Sequence, residues 1–241
     1  MSGELAGYRT IVTGGARGIG AVVARGFVEA GARVLILDKR DDLGGALVAS
    51  LPADTARYRH CDVTDSAQVA AAFEEAARWM GGLDALVHSA GMDKPGYTPE
   101  DLPEEVFDLV LSVNAKGTYL TNQAAFRLMK EQGGAIINMG SLAGIRGMPD
   151  RPAYSAAKGA VLAWTRAVAI AWGRMPSPST PSRRPWAPMS PNTIWRSLIP
   201  RNGASWRKTA SACRRSAGGS ARWSRTCCRW CACSRGRAGA T

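Results

Sequence analysis

A chain of 241 residues with 46% hydrophobic content suits one α/β domain with a sizeable core. No apolar run approaches the length of a membrane span, and no basic stretch followed by an apolar one opens the chain. A membrane protein and a signal peptide are therefore not expected, and the expected compartment is the cytoplasm. The formal charge of +12 is uneven: residues 1–174 hold all 19 acids, whereas residues 175–241 hold 13 Lys and Arg and no acid. The whole-chain charge thus averages two unlike segments.

The first 174 residues alternate between strand and helix. Tyr8–Thr13 reads as a short buried strand, Gly14–Gly20 as a glycine turn, and Gly20–Ala30 as a helix stopped by Gly31. A second strand starts at Arg33 and is closed by Asp38. Asp65–Met80 is Ala-rich and helical, with Asp65 as the expected N-cap. Leu83–His88 is a third strand, Pro103–Gln132 a long helix broken by Gly133–Gly134, Ala135–Met139 another strand, and Pro152–Trp172 another long helix. Apolar runs of four to six residues between helices predict strands buried on both faces. The expected fold is α/β, a Rossmann-like, doubly wound parallel sheet with helices on both faces.

The first turn reads Thr13-Gly14-Gly15-Ala16-Arg17-Gly18-Ile19-Gly20. Glycines at 14, 18 and 20 let the backbone turn sharply and approach a pyrophosphate, with the next helix offering its N–H groups and positive dipole end. A glycine triplet alone is weak evidence. It gains specificity from its place between a strand and a helix and from the acid that ends the second strand. That acid, Asp38, can accept hydrogen bonds from both ribose hydroxyls and would repel a 2′-phosphate, so NAD is expected over NADP. Lys39 and Arg40 follow directly and could soften that repulsion.

Tyr154 and Lys158 form Tyr-x-x-x-Lys near the start of a helix, on one face and one turn apart. A phenol is a weak acid–base at neutral pH, and a neighbouring ammonium favours its ionised form. Ser141, just past a strand end, reads either as a turn serine or as a group holding a substrate oxygen. Asn114, within the long helix, reads either as a satisfied core amide or as support for a proton relay.

These residues resemble the short-chain dehydrogenase/reductase family, near its 3-oxoacyl-carrier-protein reductase and secondary-alcohol dehydrogenase group. The resemblance runs over residues 8–172. It rests on Thr13-Gly-x-x-x-Gly-x-Gly20, Asp62-Val63, Ala90-Gly91, Asn114, Ser141 and Tyr154-x-x-x-Lys158. It implies Tyr154 as acid–base and Ser141 as partner of the substrate oxygen. Lys158 would assist the phenol and bind the nicotinamide ribose, Asn114 would anchor a water relay, and Asp62 and Val63 would flank the adenine. The implied cofactor contacts are Gly14, Arg17, Gly18, Ile19, Gly20, Asp38, Asp62, Val63, Ala90, Gly91, Tyr154 and Lys158. The family's Asn-Asn-Ala-Gly stands here as His88-Ser89-Ala90-Gly91, with His88 read as structural. Met92–Pro99 and Ile145–Asp150 should border the pocket, where Met148 and Tyr97 suit a hydrophobic alcohol or ketone. By analogy the chain is a homo-oligomer, a tetramer joined through the two long helices.

From Met175 the periodicity stops, and the family's next strand, resembling V-N-x-V-x-P-G, is missing. Ser179–Pro188, back-translated with free choice of wobble bases and read one base earlier, becomes VNAVAPAMGP, which resembles that strand. Residues 175–241 therefore read as an out-of-frame tail, with a slip just after Arg174 and the later strands doubtful. Cys228 and Cys231 make one C-x-x-C without a distant second pair, and no His lies in the tail, so no metal is expected. A basic nucleic-acid arm ranks below the frameshift. The expected function is NAD(P)-dependent interconversion of an alcohol and a ketone. The alternatives are a truncated pseudoenzyme that binds cofactor without turnover, and a Rossmann module with a nucleic-acid-binding tail.

Overall fold

The computed structural model of the protein describes residues 3–173. The basic tail lies outside the described residues. Five parallel strands form one sheet: β1 (Arg9–Thr13), β2 (Arg33–Asp38), β3 (Ala56–His60), β4 (Ala85–His88) and β5 (Ala135–Asn138). Their order is β3-β2-β1-β4-β5. The chain therefore winds one way from β1 through β2 to β3, then crosses to β4 and β5 on the other side of β1. In register, Val12 faces Ile36 on β2 and Val87 on β4, and His88 faces Asn138 on β5. The reversal of direction between β1 and β4 opens a crevice at the carboxyl ends of those strands, where open α/β sheets bind ligands.

Seven α-helices cover the sheet among the described residues: α1 (Gly18–Glu29), α2 (Asp41–Ala49), α3 (Ser66–Met80), α4 (Glu104–Leu111), α5 (Gly117–Met129), α6 (Ala143–Arg146) and α7 (Pro152–Gly173). Successive strand residues point to opposite faces. Ile11, Leu35, Leu37 and Leu86 accordingly pack with Val69, Phe73 and Met129 of α3 and α5. Val12, Val34, Ile36 and Val87 pack with Val23, Phe27 and Leu47 of α1 and α2. All four residues from Val34 to Leu37 are fully buried, which is what a strand sandwiched between two helix layers requires. Each such side chain contributes about 1.5–3 kcal/mol on leaving water.

Asp65 caps α3, accepting hydrogen bonds from the N–H groups of Ala67 and Gln68, and Gly81 closes the helix at φ 74°. The long helix expected over Pro103–Gln132 is instead two helices joined by a π-helical turn at Ser112–Lys116. The extra residue in that turn is taken up around Asn114, whose side-chain amide donates to the carbonyls of Val110 (2.9 Å) and Met92 (2.8 Å). Three elements were not anticipated, α2, β3 and the short α6. Among the described residues no helix is long and apolar enough to cross a membrane.

Candidate functional site

The turn after β1 runs directly into α1. Gly14 and Gly18 have φ of 61° and 55°, a region open to glycine but strained for other residues. A Cβ on Gly20 would lie 2.1 Å from the carbonyl oxygen of Gly14, and one on Gly14 would lie 2.6 Å from the Cα of Ala90. Turn, helix and the segment after β4 therefore meet backbone to backbone. A Cβ on Gly18 would meet nothing within 4 Å, so this part of the turn is open. No side chain caps α1, no acid sits in its first turn, and Arg17 and Ile19 are exposed. The fit to a dinucleotide pyrophosphate is good: a bare helix N-terminus behind a glycine cradle is a ready anion site.

Asp38 lies at the end of β2, beside this turn. Its Oδ2 accepts from the N–H of Ala16 (3.1 Å), and its Oδ1 accepts from the N–H groups of Lys39 (2.8 Å) and Arg40 (3.2 Å). Asp62 follows β3. Its Oδ1 accepts from the N–H and the hydroxyl of Thr64, and its Oδ2 pairs with the Lys39 ammonium at 2.9 Å. Burial pushes the Asp62 carboxyl up, but these donors outweigh it and hold it below the usual carboxylate range. Val63 is buried, and a Cβ on Gly117 would touch it at 2.8 Å.

On the far side of the crevice, α7 carries Tyr154 and Lys158. Lys158 is buried, donates to the carbonyl of Met139 at 2.8 Å, and lies 5.6 Å from the centre of the Tyr154 ring. Burial lowers the pKa of this ammonium. Tyr154 is half-buried and packs against Val110, Ala153 and Ala157. A Cβ at Gly91 would lie 2.8 Å from Asn114 Oδ1 and 3.7 Å from Lys158 Nζ, so Gly91, Asn114 and Lys158 converge. Asn114 Oδ1 is buried without a hydrogen-bond partner, and the Asn114 carbonyl accepts from the Thr118 hydroxyl at 2.6 Å.

Ser141 lies between β5 and α6, and its Oγ accepts from the N–H of Ala143 at 3.2 Å. Helix α6 packs on α7 at Gly144, where a Cβ would come within 2.5 Å of the Lys158 carbonyl carbon. That close approach sets the Ser141 segment onto the helix that bears Tyr154 and Lys158. The structure thus gathers Asn114, Gly91 and Lys158 at one point, with Tyr154 one turn away. It groups Gly14, Gly18, Gly20 and Ala90 at the glycine turn, and Asp38, Lys39 and Asp62 at the outer strand ends.

Several contacts that shape the site escaped the sequence reading. His88 is buried and clamps the site: its Nδ1 lies 3.0 Å from the Thr13 hydroxyl and 2.8 Å from the Thr121 hydroxyl. The Thr13 oxygen also accepts from the N–H of Ala90 (3.2 Å), so the end of β1, the segment after β4 and α5 share one junction. The expected pocket borders are tied together, with Arg151 Nη1 on Asp93 Oδ2 at 2.7 Å and the N–H of Gly96 on the carbonyl of Asp150 at 2.9 Å. Gly144 could have been found only by knowing that α6 meets α7. The exposed side chains Leu142, Ile145 and Met148 give one border an apolar rim. Among the described residues no group of His, Cys, Asp and Glu could hold a metal ion.

A parallel sheet that switches direction above a glycine turn defines a Rossmann-type α/β protein. The family model described as short chain dehydrogenase matches residues 9–175. The chain belongs to the short-chain dehydrogenase family. It is 39% identical over 170 residues to an L-fucose dehydrogenase of Bos taurus, covering 70% of this chain and 62% of the relative. It is 42% identical over 174 residues to a 3-alpha-(or 20-beta)-hydroxysteroid dehydrogenase of Mycobacterium bovis, covering 72% of this chain and 66% of the relative. The chain thus spans less than two thirds of the length of these relatives. The crystal structure of gox2181 matches with a TM-score of 0.68 at 29% identity, over 70% of this chain and 67% of that one.

Proposed function

We propose that the protein is an NAD-dependent oxidoreductase that interconverts a hydrophobic secondary alcohol and its ketone. The observation that carries this reading is the buried Lys158 ammonium, held on the Met139 carbonyl beside Tyr154 and next to Gly91. A charge of this kind is costly to bury and is retained where it serves chemistry. A nicotinamide dinucleotide, when bound, supplies or accepts the hydride. The glycine turn and the bare start of α1 would hold its pyrophosphate, Asp38 its adenosine ribose, and Asp62 and Val63 would flank its adenine. Tyr154 passes the proton to or from the substrate oxygen, which the Ser141 hydroxyl orients. Lys158 keeps positive charge beside the phenol as the proton leaves, and the free Oδ1 of Asn114 is available to a relay water.

Leu142, Ile145 and Met148 favour an apolar substrate over a sugar or a free 3-oxoacid. The hydroxysteroid dehydrogenase named above is 42% identical, in keeping with that choice. Tyr119 and Trp164 meet edge to face, and Phe126 stacks on Trp172, along α5 and α7. This aromatic face supports assembly of a tetramer through the two long helices. The test is turnover of NADH or NAD by the full chain with hydroxysteroids, L-fucose and a 3-oxoacyl thioester. Preference for the steroid pair supports the proposal, and oxidation of L-fucose alone contradicts it.

A second reading concerns the chain as written, with residues 1–174 as the dehydrogenase domain and 175–241 as an out-of-frame tail. The family match stops at residue 175, where the Arg-, Pro-, Ser-, Trp- and Cys-rich composition begins. On this reading the protein binds NAD but turns over weakly or not at all. Sequencing the gene across codons 170–180 decides it: a missing or extra base supports the slip, and an intact frame refutes it.

A further inference from the structure

The first turn of α7 carries Tyr154, and the residue that ties that turn to the rest of the crevice stands three positions earlier. Arg151 puts Nη1 on Asp93 Oδ2 at 2.7 Å and Nε 3.4 Å from Asp150 Oδ2. Its carbonyl accepts the N–H of Ser155 at 3.0 Å, the bond that begins the helix. The N–H of Met148 donates to the Ser155 hydroxyl at 2.9 Å. At the other end of the ion pair, Asp93 directly follows Met92, whose carbonyl accepts from the Asn114 amide at 2.8 Å. Gly96, at φ 96°, adds a second tie by donating its N–H to the Asp150 carbonyl at 2.9 Å. Residues 91–96 are therefore bound at Met92 to the π-helical turn, and at Asp93 and Gly96 to the entry of α7.

Stability alone does not account for the Asp93–Arg151 pair. The side chains are 25% and 36% exposed, and a partly solvated ion pair contributes little to folding. Asp93 Oδ1 is buried with no hydrogen-bond partner among the described residues, and a carboxylate oxygen kept from water in this way costs free energy. Resting on the acid–base role proposed above for Tyr154, we propose that Asp93 and Arg151 are positioning residues. They act through Tyr154 and Asn114. The pair fixes the first turn of α7 against the segment that holds Asn114, so the phenol keeps its place relative to Asn114 Oδ1 and the Lys158 ammonium. Proton transfer needs that constancy: it works only within hydrogen-bond reach, and a displacement of about 1 Å can slow it about a hundredfold.

The experiment compares the full chain as wild type, Asp93→Ala, Arg151→Met and the double variant. Turnover of a hydroxysteroid with NAD gives kcat, and fluorescence titration gives the NADH Kd. Each single variant should lower kcat about tenfold and leave the NADH Kd unmoved, because the glycine turn is untouched. The double variant should lose no more than either single one, since both remove the same contact. Amide hydrogen exchange supplies a readout independent of turnover. The Ser155 amide should exchange about tenfold faster in the variants, while Val161, further along α7, keeps its rate. An unchanged kcat in the single variants, losses that add in the double variant, or NADH affinity that falls in step with kcat overturns the proposal. So does an unchanged Ser155 amide, or faster exchange spread evenly along α7. Should Asp93→Ala fail to fold, the more exposed Arg151→Met carries the same test. A wild type that turns over no substrate defeats the oxidoreductase reading, and the exchange rates then decide whether the pair holds the helix entry.

Discussion

His88 makes the stability of this protein depend on pH in a window where few other groups act. The imidazole is 2% exposed, with Nδ1 shared between the Thr13 and Thr121 hydroxyls and Nε2 buried without a partner. Burial, aided by the nearby Lys158 charge, pushes its pKa down from 6.5 to about 3. Below the unfolded pKa the unfolded chain takes up a proton that the native state refuses. Stability is therefore fully present above about pH 6.5 and is lost progressively as pH falls toward 3. One refused proton is equivalent to about 1.4 kcal/mol per pH unit, so between pH 6.5 and 4.5 the native state should lose roughly 2–3 kcal/mol. The depressed carboxyls of Asp41, Asp42, Asp62 and Asp65 act in the same direction but only at lower pH. The assay is urea unfolding of wild type and His88→Asn from pH 7.5 to 4.5. Asparagine keeps a polar group for the threonine hydroxyls but does not take up a proton, so its slope in this window should flatten. Equal slopes for the two proteins would refute the argument.

Other perturbations separate binding from chemistry. Gly20→Ala drives a Cβ to 2.1 Å from the Gly14 carbonyl oxygen and should weaken NADH binding about a hundredfold, read by fluorescence titration. Gly144→Ala must move α6 off α7 by roughly 1 Å, costing about 1–3 kcal/mol in unfolding experiments. It should lower kcat about a hundredfold and leave NADH affinity unchanged. Lys158→Met removes a buried ammonium whose pKa burial has depressed. Its unfolding free energy should rise by about 1 kcal/mol while turnover is lost.

The legible parts of the fold are those where local pattern and tertiary burial agree. Val34–Leu37 is an apolar run because both faces of β2 are covered, and Asp65 stands at the start of α3 because its carboxylate meets the first N–H groups. Helix α2 carries Gly44 and Gly45, residues of poor helix propensity that weaken its signal in the sequence. A Cβ at Gly44 would strike the Tyr58 ring at 2.1 Å, so this glycine is fixed by packing and not by a turn. Strand β3, Ala-Arg-Tyr-Arg-His, carries too few apolar residues to announce itself, since it pairs with β2 alone in the sheet of the described residues. The π-helical turn at Asn114 depends on the Met92 carbonyl, 22 residues away in the chain.

The site divides in the same way. Tyr154, Lys158 and the glycine turn follow from spacing within single elements. The burial of Lys158, its bond to Met139 and the pairing of Lys39 with Asp62 arise only when separate strands and helices meet. The reading of His88 as structural agrees with its two threonine partners, but which residues it joins needed the β1–β4 register and the packing of α5.

The account stands most directly on the structure of the full chain with NAD. It predicts the pyrophosphate on the glycine turn at the start of α1, with the Tyr154 hydroxyl and the Lys158 ammonium both bordering the nicotinamide ribose. A dinucleotide bound elsewhere, or a nicotinamide end remote from Tyr154 and Lys158, would contradict it.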